Sequence, residues 1–124
     1  MQKIRVKHDD VRESEFEHSN MSGAKFNDIN LSGSRFHNIN FSDVQFTAAQ
    51  IGGSTFKHIG PPPDHNGRQE RQRPVSFEEA VLCDSLFRRV DLSNVQIIDC
   101  NVDGMTIDGE LVTELLHAYR KRNG

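Results

Sequence analysis

The chain has 124 residues, 35% of them apolar, no tryptophan and a formal net charge of −3. That balance gives no general case for direct nucleic-acid binding, no apolar run is long enough for a membrane span, and "MQKIRVKHDD" lacks the apolar stretch of a secretory signal. Two cysteines, Cys83 and Cys100, are too few for a disulfide framework, so a single domain over 1–124 in a reduced, cytoplasmic setting is the expectation.

From the N-terminus the dominant signal is a period of five. Val6, Val11, Phe16, Met21, Phe26, Leu31, Phe36, Phe41, Phe46, Ile51 and Phe56 are all apolar. At this composition one chosen register would be filled by chance about once in 10⁵. A companion column lies two residues earlier: Ser14, Ser19, Ala24, Ile29, Ser34, Ile39, Val44, Ala49 and Ser54 are small or β-branched. Asp9 is out of keeping with that column. Positions i−2 and i point to one side of an extended segment, and i−1 points to the other. Asn30, Arg35, Asn40 and Gln45 occupy that outer position. The following pairs, Asn27-Asp28, Ser32-Gly33, His37-Asn38, Ser42-Asp43 and Gly52-Gly53, are turn formers. Each unit therefore reads as a three-residue strand and a turn. A chain that turns the same way every five residues must coil, with both inward columns stacked into an apolar ladder.

"GPPPDHNGRQERQRP" interrupts the pattern over 60–74. Pro61 falls at the next central position, and prolines favour extended backbone without a donor. The segment is expected to be one loop on one side of a continuous coil, with Val75 and Phe77 completing the interrupted side. It carries Arg68, Arg71 and Arg73 against Asp64 and Glu70. The pattern resumes one step out of phase over 75–109. Its central column is Phe77, Leu82, Phe87, Leu92, Ile97, Val102 and Ile107, and its companion column is Val75, Ala80, Ser85, Val90, Val95, Cys100 and Met105. All eight phenylalanines lie in the central column.

The two runs resemble the pentapeptide-repeat family, whose loose consensus is Ala-(Asp/Asn)-Leu-x-x. The match is close over 14–59 and 75–109 and weaker over 4–13. The resemblance implies an all-β solenoid: a right-handed quadrilateral β-helix with four repeats per coil. About four and a half coils result, with the loop inserted. It also implies files of stacked residues: Phe16, Phe36, Phe56 and Leu92 on one side, Met21, Phe41, Phe77 and Ile97 on the next. Phe26, Phe46, Leu82 and Val102 follow, then Leu31, Ile51, Phe87 and Ile107.

At the C-terminus the period changes. Leu111, Val112, Leu115, Leu116 and Tyr119 make a helical stripe within 110–123, with Asp108 or Gly109 as the expected N-cap and Arg120, Lys121 and Arg122 suited to the dipole. The open end of a coil exposes core and unpaired edges, so a capping helix is expected. In many members of the family such a helix also builds a dimer, which implies a homodimer here.

Chemistry is sparse. His8, His18, His37, His58, His65 and His117 have no zinc spacing with the cysteines. No nucleophile–base signature or phosphate loop is present. The expectation is a protein without catalytic activity, cofactor or metal. Charge differs by region: residues 1–59 carry seven basic and seven acidic residues, whereas 77–109 carry two and seven, net −5. Val81, Leu86 and Ile98 are apolar at outward positions of the second run, and with Arg68, Arg71 and Arg73 they form the candidate partner surface. The expected role is a binding or scaffold module for an unidentified protein partner or for itself, with no direct nucleic-acid or membrane contact. The alternative implied by the resemblance is a DNA mimic that inhibits or protects DNA gyrase or another topoisomerase.

Overall fold

The computed structural model describes residues 1–123. By proximity along the backbone it divides into two units, one over Met1–Lys57 and one beginning at His58. The central position of every repeat is followed, two residues later, by a residue in the left-handed region. In the first unit these are His8, Glu13, His18, Gly23, Asp28, Gly33, Asn38, Asp43, Ala48 and Gly53. In the second they are His58, Glu79, Asp84, Arg89, Asn94, Asp99 and Gly104. Gly, Asn, Asp and His adopt positive φ at the lowest cost, which accounts for most of this column. It also gives His8, His18 and His58 a backbone role.

The turns alternate between two kinds, a ten-residue rhythm inside the period of five. One kind is closed by a hydrogen bond from the amide three residues on to the central carbonyl. Examples are Ala24 to Met21 (3.0 Å), Ser34 to Leu31 (3.1 Å), Ser54 to Ile51 (3.0 Å) and Met105 to Val102 (3.0 Å). Its left-handed third residue is the requirement of a type II turn. The other kind, following Phe16, Phe26, Phe36, Phe46, Phe56, Phe77, Phe87 and Ile97, is a bend that no such bond closes among the described residues.

Most turns of the closed kind are supported by the residue before the centre, although Gln50 and Val81 precede such turns without an Asx side chain. Asn20, Asn30, Asn40, Asp91 and Asn101 each accept the backbone amide two residues ahead: Ser22, Ser32, Ser42, Ser93 and Asp103, at 2.9–3.0 Å. Asp10 does the same for Arg12 at 3.1 Å and also pairs with its guanidinium at 2.9 Å. These Asx turns pre-fold the backbone from within. Residues at the same position before a bend, such as Glu15, Lys25, Arg35 and Gln45, are long and cannot do so.

Strand is confined to β1 (Thr106–Ile107) and β2 (Glu110–Leu111), antiparallel, with Thr106 opposite Leu111 and Ile107 opposite Glu110. This corrects the expected helix boundary. Asp108 and Gly109, at φ 48° and 83°, form the two-residue turn of a hairpin rather than a helix cap. The Val112 amide donates to Met105 O at 3.0 Å and extends the pairing. Helix α1 follows over Val112–Asn123, with Arg120, Lys121 and Arg122 in its last turn.

The expected three-residue strands paired from coil to coil are not present among the described residues. Outside this hairpin and helix, the backbone hydrogen bonds join residues within single turns. None of the described residues is buried, Cys100 of the inward column included. The local half of the repeat is thus formed, and the half that needs partners twenty residues away is not. Closing such long loops carries an entropic cost that local turns do not bear. The accessible surface is 14046 Å², about twice the roughly 6,700 Å² of a folded chain of this mass. Phe41 shows the beginning of packing: its ring meets Phe36 and Phe46 edge-on at centroid separations of 5.6 and 5.9 Å.

Candidate functional site

Three surfaces arise from this framework. The first is the 60–74 segment. Asp64 organises it: its amide donates to Arg68 O (2.8 Å), its carbonyl accepts from Gly67 (2.9 Å), and its carboxylate accepts from the amides of Asn66 and Arg68 (both 2.9 Å). Four bonds on one residue make a small hairpin with His65, Asn66 and Gly67 at its tip. Gln69 Nε2 donates to Pro61 O at 2.7 Å and ties the base of the loop together. A loop that read as irregular is therefore built, and the signal was Asp64 standing just before Asn66-Gly67.

The second surface is the outward apolar set of the second run. Val81, Leu86 and Ile98 are 86%, 71% and 66% exposed. Their exposure does not set them apart, because Phe77 and Phe87 of the inward column are 63% and 61% exposed. What distinguishes them is register: Val81 and Leu86 stand just before a central residue, and Ile98 just after one, at its turn. Around them lie Glu78, Glu79, Asp84, Asp91, Asp99 and Asp103. The Asp91 carboxyl is held below its usual range, first by the hydroxyl and amide of Ser93. Desolvation opposes this, and the charge of Arg71 adds to it.

The third surface is helix α1, where the structure separates the predicted stripe into two. Val112 and Leu116 line an apolar groove with Ile97, Val102, Met105 and Ile107. Those two residues are one turn apart on a single face, so that face of the helix covers the end of the repeats. Leu115 and Tyr119 do not line the groove and are 47% and 68% exposed; Leu111 belongs to β2. The sequence pattern had merged these faces into one stripe.

Among the described residues no group of three or more His, Cys, Asp or Glu side chains is placed to hold a metal ion. Cys83 and Cys100 are both free. No helix of the described residues is long and apolar enough to cross a membrane.

Residues 10–38 and 19–57 match the family model for pentapeptide repeats, with 8 copies of the repeat. The second run lies beyond the matched residues, yet it repeats the same positive-φ column, the same two turn kinds and the same Asx bonds. No curated protein and no solved structure matches the chain. The matched residues, with their turns in place every five residues, show that this chain carries the repeats of the pentapeptide-repeat family over 10–57.

Proposed function

We propose that the repeats close into the right-handed β-helix general to this family, in about four and a half coils, and that the protein is a non-catalytic interaction or scaffold module. The observation that supports this is the pair of apolar columns on a backbone already turned every five residues. Residues such as Phe16, Phe26 and Phe36, 57–62% exposed, form a face too long to leave in water. Coiling brings each column onto itself and gives the free backbone groups partners. Such a rod offers rigid outer faces and no chemistry, and the family is generally non-catalytic.

Self-association is part of the reading. With Val112 and Leu116 turned to the repeats, Leu115 and Tyr119 remain for a second copy of α1. Sedimentation of the intact chain should give about twice the 14.1 kDa monomer mass. Leu115→Ser with Tyr119→Ser should return it to the monomer. A wild-type monomer at high micromolar concentration contradicts the dimer. The partner surface centres on Val81, Leu86 and Ile98, with Arg68, Arg71 and Arg73 as its rim.

A second reading is favoured by one feature, the net −5 of residues 77–109. An acidic surface along a rod would imitate duplex phosphates, and DNA gyrase or another topoisomerase is the partner that fits. A supercoiling assay with and without the protein separates the two. Inhibition or protection supports the mimic; unchanged supercoiling at saturating protein removes it.

A further inference from the structure

We propose that the 61–74 segment forms one complete side of a coil, so that Phe77 opens the following side instead of completing the interrupted one. This rests on the β-helix reading above and revises the stacking of the second run. Four sides after the loop comes Leu92, with Asp91 on its outer surface. Under the earlier assignment that place belongs to Ile97.

The rhythm of the turns carries the inference. From His58 onward the backbone runs bend at His58, turn at Asp64–Gly67, bend at Glu79 and turn at Asp84, with the bend at Gly60 counted as the entry of the loop. It then runs bend at Arg89, turn at Asn94, bend at Asp99 and turn at Gly104. The alternation is kept only when the loop counts as one hydrogen-bonded turn. Its hairpin is built for that place. Gly67 N donates to Asp64 O at 2.9 Å, the same three-residue closure as in the repeats. Asp64 also accepts the amide two residues ahead, as Asn20, Asn30 and Asn40 do. The Asx residue is displaced by one position, since in the repeats it stands just before the turn.

Two further observations agree. Pro61 sits at the central register position, five residues after Phe56, and is one of the few described residues that are partly buried. It keeps the inward slot of its side while the rest of the loop projects. Arg71 is near enough to act on the Asp91 carboxyl. The proposed stacking puts those two residues on the same side of successive coils, twenty residues apart. Phe77, Phe87 and Ile97 stand before bends and Leu82, Leu92 and Val102 before turns, those after Leu92 and Val102 closed by the amides of Val95 and Met105. Sides four apart then share a turn kind. Outwardly, the arginine-bearing hairpin is seated on the acidic side that carries Asp91 rather than beside Gln96.

Disulfide trapping distinguishes the two stackings, in a Cys83→Ser, Cys100→Ser background. Stacked strands lie about 4.8 Å apart, within the Cα separation of roughly 4.4–6.8 Å that a disulfide accepts. Ile59→Cys with Val90→Cys should oxidise to a bridged monomer, and Ile59→Cys with Val95→Cys should not. The reverse result overturns the proposal. Val75→Cys with Val95→Cys is stacked in either arrangement and tests the four-sided coil itself. If it bridges and 59–90 does not, the loop assignment fails and the β-helix reading stands. If it does not bridge, both fail. These are inward positions, so a surface variant guards against misfolding. In Arg71→Gln the Asp91 titration, followed by NMR, should move upward. An unmoved midpoint removes the loop from that side and overturns the proposal.

Discussion

The repeats of residues 1–57 and those from 58 onward reach the same backbone by different chemistry. In the first region the hydrogen-bonded turns are nearly uniform: Asn20, Asn30 and Asn40 each precede an apolar centre and a Ser. All the bends have Phe at the centre from Phe16 to Phe56, and the region carries no net charge over 1–59. In the second region aspartate or valine replaces some of those asparagines, at Asp91 and Val81, and aliphatic residues hold the turns. Glu79 and Arg89 adopt positive φ where Gly, Asn, Asp or His would do so more easily. The first region carries the same cost at Glu13 and Ala48, so backbone cost alone does not mark the second region. What does mark it is that the loop, the outward apolar residues, the acidic surface and the helix are gathered there.

The largest expected effect tests whether the first region is a core at all. Phe41 touches Phe36 and Phe46 and would lie inside the closed coil. Phe41→Asp should cost about 3 kcal/mol or more, because the charge is enclosed without a partner, and cooperative melting should be lost. Asn40→Asp keeps the Asx acceptor and should be nearly neutral. Equal melting of the two variants would mean that the inward and outward columns are misassigned.

A smaller effect compares the two turn kinds. Asn30→Ala removes the bond to Ser32 N and should cost about 1 kcal/mol. Arg35→Ala, at the same position before a bend, has no such bond to lose and should leave denaturant midpoints unchanged. If both variants shift alike, the Asx residues do not set the alternation.

The smallest effect separates the aspartate turns from the asparagine turns by pH. Asp91 is depressed below its usual 3.8 by Ser93, and Asp10 is depressed by Arg12. A lowered folded-state value means the stabilising contribution is full above the ordinary carboxylate range and is lost as pH falls through the folded value. Amide resonances of Ser93 and Arg12 should therefore move during acidification below about pH 4. Those of Ser22 and Ser32, held by uncharged Asn20 and Asn30, should not. Salt should weaken the Arg12 response, since that pair is exposed.

Much of this was legible in the residues. The period of five, the loop boundaries and the C-terminal helix follow from apolar spacing and from Gly60–Pro63. The alternation was also written in the sequence, as Asp10, Asn20, Asn30, Asn40, Asp91 and Asn101, but a search for one short period averages it away. Asp108-Gly109 was misread because the helical stripe beginning at Leu111 overlaps the hairpin, and one apolar residue serves either pattern. The division of the helix between Val112/Leu116 and Leu115/Tyr119 could not be read, since both pairs have helical spacing. Which outward apolar residues make a surface was equally hidden, because hydropathy records residue type and not the face it joins.

Amide hydrogen exchange over residues 14–59 tests the central claim most directly. If the apolar columns close into stacked coils, the amides not already used within the turns, among them Phe36, Ile39, Phe41 and Phe46, should pair between coils. They should then exchange slowly, in one cooperative block. Rapid exchange at those amides, with protection limited to Ala24, Ser34, Val44, Ser54 and helix α1, would contradict the account and leave the repeats as a series of isolated turns.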